Sequence, residues 1–246
     1  MYKQIGKNLC KMMVAFPIAI YWVLPHLFTE KTDTDVTGLL IGRIWGMTAG
    51  DGNNNILETV GMLSYLLIFH LLFGNSISEH FSYMASYRFS RIFQRPKWFL
   101  KKSVELFAYV VGYAGIYVGG NLWGCNYTSS GKINVFTWNV FFMMFATCVN
   151  LLLLTTILIN LGTIFYKTAT AFGVCWIGIV LLKLLDMVQG NSQWMGLINP
   201  MSYEKMIQWP VEMIVAKIVG LFLFTVLIVV IGAILLKDYE VYEWKM

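Results

Sequence analysis

Charge is scarce in this chain. Asp, Glu, Lys and Arg make up 13% of its 246 residues, about half the share of a soluble domain, which excludes a broadly solvated surface. Histidine is scarcer still. His26, His70 and His80 stand far apart, and there is no H-E-x-x-H, no paired aspartate and no Ser-His-Asp order, so a metal or hydrolase site has little support. The four cysteines, Cys10, Cys125, Cys148 and Cys175, include no C-x-x-C pair and imply no disulfide framework. No G-x-x-x-x-G-K-[ST] occurs, so the chain does not bind and hydrolyse ATP in the P-loop manner.

What fills the chain instead is apolar. Hydrophobic residues are 58% of the total, and six runs approach or reach the ~17–25 residues that cross a bilayer core. They are Met12–Phe28, Ile56–Gly74, Val104–Gly119, Val140–Leu161, Ala169–Val188 and Val211–Leu236. The third is short and borrows Ser103 and Asn121 at its ends. The rest is loop, so residues 1–246 read as one all-α polytopic membrane domain with six transmembrane helices. The first run is interrupted by Pro17 and Pro25 and lacks an A-x-A-like site, which makes it a retained helix rather than a secretory signal.

Basic residues set the orientation. Twelve of the 18 lie on one side: Lys3, Lys7 and Lys11 before the first run, six after the second, Lys167, Lys237 and Lys245. Lys and Arg resist translocation, so that side is cytoplasmic and both termini face it, in a multi-pass protein of the cell membrane. The net charge of +5 reflects this asymmetry and implies no nucleic acid partner. Tyr2, Ile5, Leu9, Met12 and Met13 share one helical face and the three lysines another. Residues 1–11 therefore read either as an interfacial helix with its lysines on anionic headgroups or as a simple positive anchor.

The cytoplasmic stretch 75–102 carries Arg88, Arg91, Arg95, Lys97, Lys101 and Lys102 against one carboxylate, Glu79. Ile77, Phe81, Met84, Ala85 and Ile92 group on one side of a helical wheel, with Arg88 interrupting the arc. Pro96 is expected to break this helix, and residues 97–102 form a second segment leading into the third span. Thr29–Asn55, with Glu30, Asp33, Asp35 and Asp51, fits no EF-hand spacing and reads as a solvated outer loop, as does Asn121–Trp138. The Asn126-Tyr127-Thr128 sequon is a weak match. The last outer stretch, 189–210, is apolar for a loop, broken by Pro200 and Pro210 and marked by Trp194 and Trp209. Such a segment dips into the membrane only where protein or a wet cavity shields its backbone. Among ionisable groups inside spans, Lys183 and Asp186 stand at i, i+3 and are expected either to pair or to serve a substrate or proton path.

Six spans, a Glu after the second span, then a helix, a proline-bearing basic stretch and a Lys opening the third span (Glu79, Arg91, Pro96, Lys102), with Asn199-Pro200 before the sixth, resemble ABC-2-type ABC transporter permeases. The stretch Arg91-Ile-Phe-Gln-Arg-Pro-Lys-Trp-Phe-Leu-Lys-Lys is similar to permeases of Gram-positive bacteriocin and lantibiotic export or immunity systems. The resemblance covers nearly the whole chain, although the glycine that usually follows the family's Glu is replaced by His80-Phe81-Ser82. It implies a type V exporter-like fold with an N-terminal interfacial helix, a cytoplasmic coupling helix and a re-entrant segment at 189–210 around Asn199 and Pro200. ATPase coupling would fall to Glu79, Phe81, Met84, Ala85, Tyr87, Arg88 and Arg91. The implied partners are two copies of a separate ATPase, which holds ATP and Mg, a second permease identical or related, and the lipid membrane. No cofactor is expected on this chain, and no catalytic residue. The cargo would be a hydrophobic or peptide substrate. Two other classes remain open: an ATP-independent secondary transporter or channel, which favours inverted repeats and charged midplane helices, and a membrane sensor or scaffold.

Overall fold

The computed structural model describes residues 2–21, 35–45, 56–79, 95–188, 199–202 and 210–237. These form eight main helices and no strand: α1 (Tyr2–Met13), α2 (Ala15–Tyr21), α3 (Val36–Trp45), α4 (Ile56–Phe73), α5 (Arg95–Thr128), α6 (Val135–Phe165), α7 (Thr168–Val188) and α8 (Val211–Leu235). Among the described residues, α5, α6, α7 and α8 are long and apolar enough to cross a membrane.

The long helix α6 is the centre. Of its most apolar stretch 72% is buried, against 17% in α7 and 22% in α8, so α6 is wrapped by protein while the other two present apolar faces outward. Ile177, Leu181, Leu184, Val215, Leu223 and Ile234 are among the exposed side chains. A patch of this size suits hydrocarbon, where helices satisfy their backbone internally, and is consistent with residence in a membrane.

Local chemistry explains the helix ends. Asn134 caps α6 in a reciprocal box: its side chain accepts from Thr137 N, and Thr137 Oγ1 accepts from Asn134 N. At the other end Tyr166 N donates to Gly162 O at 2.8 Å, and α7 starts two residues later. The turn is tight because Gly162 has no Cβ, which would lie 2.9 Å from that of Ala171.

Several expectations are corrected here. The stretch Thr29–Asn55, expected to be a solvated outer loop, holds α3, with Val36, Leu40 and Ile44 buried against α5 and α6. Those three residues recur at i, i+4, i+8, a helical stripe that the flanking Gly, Asp and Asn residues obscure. Nor does the third apolar run form a short helix. α5 is one helix of 34 residues, ~51 Å at 1.5 Å per residue, and it absorbs both the separate 97–102 segment and the first part of the Asn121–Trp138 loop, including the sequon. Pro96 sits in the first turn of α5, where no N–H donor is required, and the helix expected to end before it lies outside the described residues. The first apolar run is also modified. The chain turns at Val14 between α1 and α2, placing Pro17 in the first turn of α2.

Candidate functional site

The antiparallel contact of α4 with α5 is an aromatic ladder. Tyr65 stacks on Tyr117 at 4.7 Å, Phe69 meets Tyr113 at 4.9 Å, and Phe73 stacks on Tyr109 at 5.4 Å. Each rung advances four residues, one helical turn, in opposite directions along the two helices. Tyr113 Oη also donates to Tyr65 O at 3.1 Å.

Beyond the ladder's last rung, α1 docks on the ends of α4 and α5. Lys11 Nζ donates to Leu72 O at 2.9 Å and lies 5.3 Å from the Phe73 ring centroid, a cation favourably placed at a helix C-terminus and over an aromatic face. Asn8 Nδ2 donates to Tyr109 Oη, which donates to Glu105 Oε1, while Lys102 Nζ meets Glu105 Oε2 at 2.7 Å. These groups, with Asn75 and Glu79, line a cavity of about 140 Å³.

A buried polar seam runs along α6: Thr147, Asn150, Thr155, Thr156, Asn160 and Thr163. Thr155 Oγ1 donates to Leu151 O at 2.7 Å and lies 2.8 Å from His70 Nε2. The His70 ring meets Trp176 of α7 edge-on at 5.5 Å. One turn further, Asn160 Oδ1 accepts from Ile77 N at 2.8 Å, and Asn160 Nδ2 lies 3.4 Å from Phe73 O and 2.9 Å from Thr156 O. Asn150 Nδ2 donates to Ile218 O of α8. The seam thus reaches α4, α7 and α8 from one helix.

Between α6 and α7 a groove of about 560 Å³ opens, floored by Thr155 and Cys175 and closed at one end by Pro200 and Met201. The segment 199–202 bridges to both flanking helices. Asn199 Nδ2 donates to Leu182 O at 2.7 Å, Asn199 Oδ1 accepts from Met201 N, and Lys217 Nζ of α8 donates to Ser202 O at 2.7 Å. Lys183 and Lys217 are each 2% exposed.

Of the residues singled out by sequence, Asn199 and Pro200 come together at the groove's end with Lys183 one residue beyond Leu182. Asp186 continues the α7 backbone, and its side chain lies outside the described residues. Glu79 is exposed, one turn after Asn75, with its N–H donating to Asn75 O at 2.9 Å. Phe81, Met84, Ala85, Tyr87, Arg88 and Arg91 lie outside the described residues, as do 189–198 and 203–209 of the stretch before α8. Sequence reasoning missed His70's partner and the whole α6 seam. The signal was there as amides and threonines inside an apolar run, a pattern that joins helices in membranes. Among the described residues, no cluster of His, Cys, Asp and Glu has the makings of a metal site. Comparison with protein-family models, with curated proteins and with solved structures finds no match to this chain.

Proposed function

We propose that this chain is the membrane-spanning permease subunit of an ABC transporter of the ABC-2 kind, moving a hydrophobic or peptide substrate, such as an antimicrobial peptide, with ATP hydrolysed on a separate subunit. The observation that supports this most is how the α4–α5 connection is held. Ile77 and Ser78 are buried at its start, Arg95 and Phe99 at its end. Between Glu79 and Arg95 lie 15 residues, 80–94, with Phe81, Met84, Ala85, Tyr87, Arg88 and Arg91 among them. A basic connection anchored firmly at both ends is a handle through which a separate motor can move the helices.

In this reading the first apolar run and α4 complete six spans with α5, α6, α7 and α8, and both termini are cytoplasmic. α1 lies at the inner surface, its exposed Leu9 and Met13 toward lipid. Two such subunits, identical or related, act with two ATPases carrying ATP and Mg. The apolar residues Phe81, Met84 and Ala85 enter a groove of the ATPase, and Glu79, Tyr87, Arg88 and Arg91 rim it. Phe81→Asp with Met84→Asp is expected to insert normally and to lose co-purification of a P-loop protein in detergent. Normal binding and transport by that double variant would exclude the coupling role.

A second reading, ATP-independent transport, draws on the buried His70, Lys183 and Lys217. Uptake or efflux in vesicles lacking nucleotide separates the two.

A further inference from the structure

In an uninterrupted α-helix Ile77 N donates to Phe73 O, four residues back. Here that bond is replaced by a side chain from another helix. The Asn160 carboxamide accepts from Ile77 N through Oδ1 at 2.8 Å and reaches Phe73 O through Nδ2 at 3.4 Å. The same nitrogen lies 2.9 Å from Thr156 O, a turn below on α6, and Asn160 is fully buried. A side chain inserted in this way into the hydrogen-bond ladder is a recognised cause of a sharp bend.

The surrounding residues are suited to that bend. Gly74 N donates to His70 O at 2.7 Å and ends α4. A Cβ at Gly74 would collide with the same carbonyl oxygen. The chain then makes one new helical turn, 76–79, closed by Glu79 N and Ser78 Oγ on Asn75 O. Only a short primary amide offers an acceptor and two donors at this reach: Leu has neither, Asp lacks the N–H donors, and Gln is one methylene longer.

We infer that Asn160 is a positioning residue that transfers the 76–79 turn from α4 to α6, so that movement of the following inner connection is carried to the central helix. The inference rests on the permease reading for the use made of that movement, and on the hydrogen bonds alone for the attachment.

The test uses the full chain in phosphatidylethanolamine–phosphatidylglycerol nanodiscs, with Asn160→Leu and, in case that variant inserts poorly, the milder Asn160→Ala. Asn150→Leu, which removes a different α6 amide, is the control. Amide exchange at Ile77 and the mobility of a spin label at Glu79→Cys report the attachment. Stimulation of a co-purified P-loop ATPase by transport conditions reports the transmission. Both Asn160 variants are expected to raise Ile77 exchange by about tenfold or more, the loss of roughly one buried hydrogen bond, and to mobilise the label. They are expected to retain the ATPase while losing most of its stimulation, with Asn150→Leu unchanged at Ile77. Unchanged exchange in the Asn160 variants overturns the attachment, and raised exchange with full stimulation overturns the transmission. A wild-type protein that engages no P-loop partner overturns the permease reading instead, and the exchange arm still decides the role of Asn160.

Discussion

Tyr65 and Tyr117 lie face to face, ring centroids 4.7 Å apart and planes within 16° of parallel. They form one end of a ladder whose middle, Phe69, is fully buried between Phe73 and Tyr113. Removing that ring leaves a void that neighbours on two stiff helices do not fill. Phe69→Ala is expected to cost about 3–5 kcal/mol, read as a lower midpoint in detergent unfolding, while Phe69→Leu costs less than half as much. Equal midpoints for the alanine variant and wild type would show that the ladder does not hold α4 to α5.

Thr137 serves two structures at once. Its hydroxyl lies 2.9 Å from Asn134 Oδ1 and shares a hydrogen bond of 2.8 Å with Thr37 Oγ1. Thr137→Val keeps the shape and loses both, leaving α6 without half its cap and α3 without its polar tie. A loss of about 1 kcal/mol for each hydrogen bond removed is expected. Thr37→Val should lose less, because the Asn134 box survives it. A larger loss for Thr37→Val would contradict this order.

Lys217 ties α8 to the 199–202 segment through Ser202 O. With Ser202→Cys as reporter, Lys217→Met is expected to raise the maleimide labelling rate about tenfold, since a bond to a charged donor is worth ~1.5–3 kcal/mol. The apolar replacement suits its buried site, so insertion is unaffected. An unchanged rate would mean that the segment is held by Asn199 alone.

Orientation is tested at exposed positions of the described loops and helix ends. An impermeant maleimide applied to intact cells should reach Lys132→Cys and not Lys97→Cys or Lys167→Cys, all three exposed. The expectation comes from the placement of 12 of 18 basic residues on one side. External labelling of position 97 would reverse the topology.

Much of the helical layout was legible in the amino-acid order. The runs Ile56–Gly74, Ala169–Val188 and Val211–Leu236 match α4, α7 and α8 to within a residue at either end, because hydropathy changes abruptly where these helices stop. α5 was misjudged because its ends are polar. Helical hydrogen bonds continue into Arg95–Lys102 and Asn121–Thr128 regardless of hydropathy, and apolar length measures only the part a bilayer would cover. α3 was missed because its ten residues are too short for a membrane run and sit between turn-forming residues.

The candidate site was far less legible. Asn160, Thr155 and His70 are each visible as polar residues in apolar stretches, but their partners lie 83 to 87 residues away in the case of Asn160 and 85 in that of His70.

The sequence by itself determined where the apolar runs of α4, α7 and α8 lie, and its basic residues set an expectation of orientation. Both depend on properties summed over many residues: transfer to hydrocarbon and resistance of Lys and Arg to translocation. The tertiary structure alone decided that Asn160 would complete the broken ladder between Phe73 and Ile77, and that Lys217 would hold Ser202. A helix satisfies its own backbone wherever it packs, whereas a buried side-chain amide or amine must find its partner on a neighbour, and helix packing chooses that neighbour.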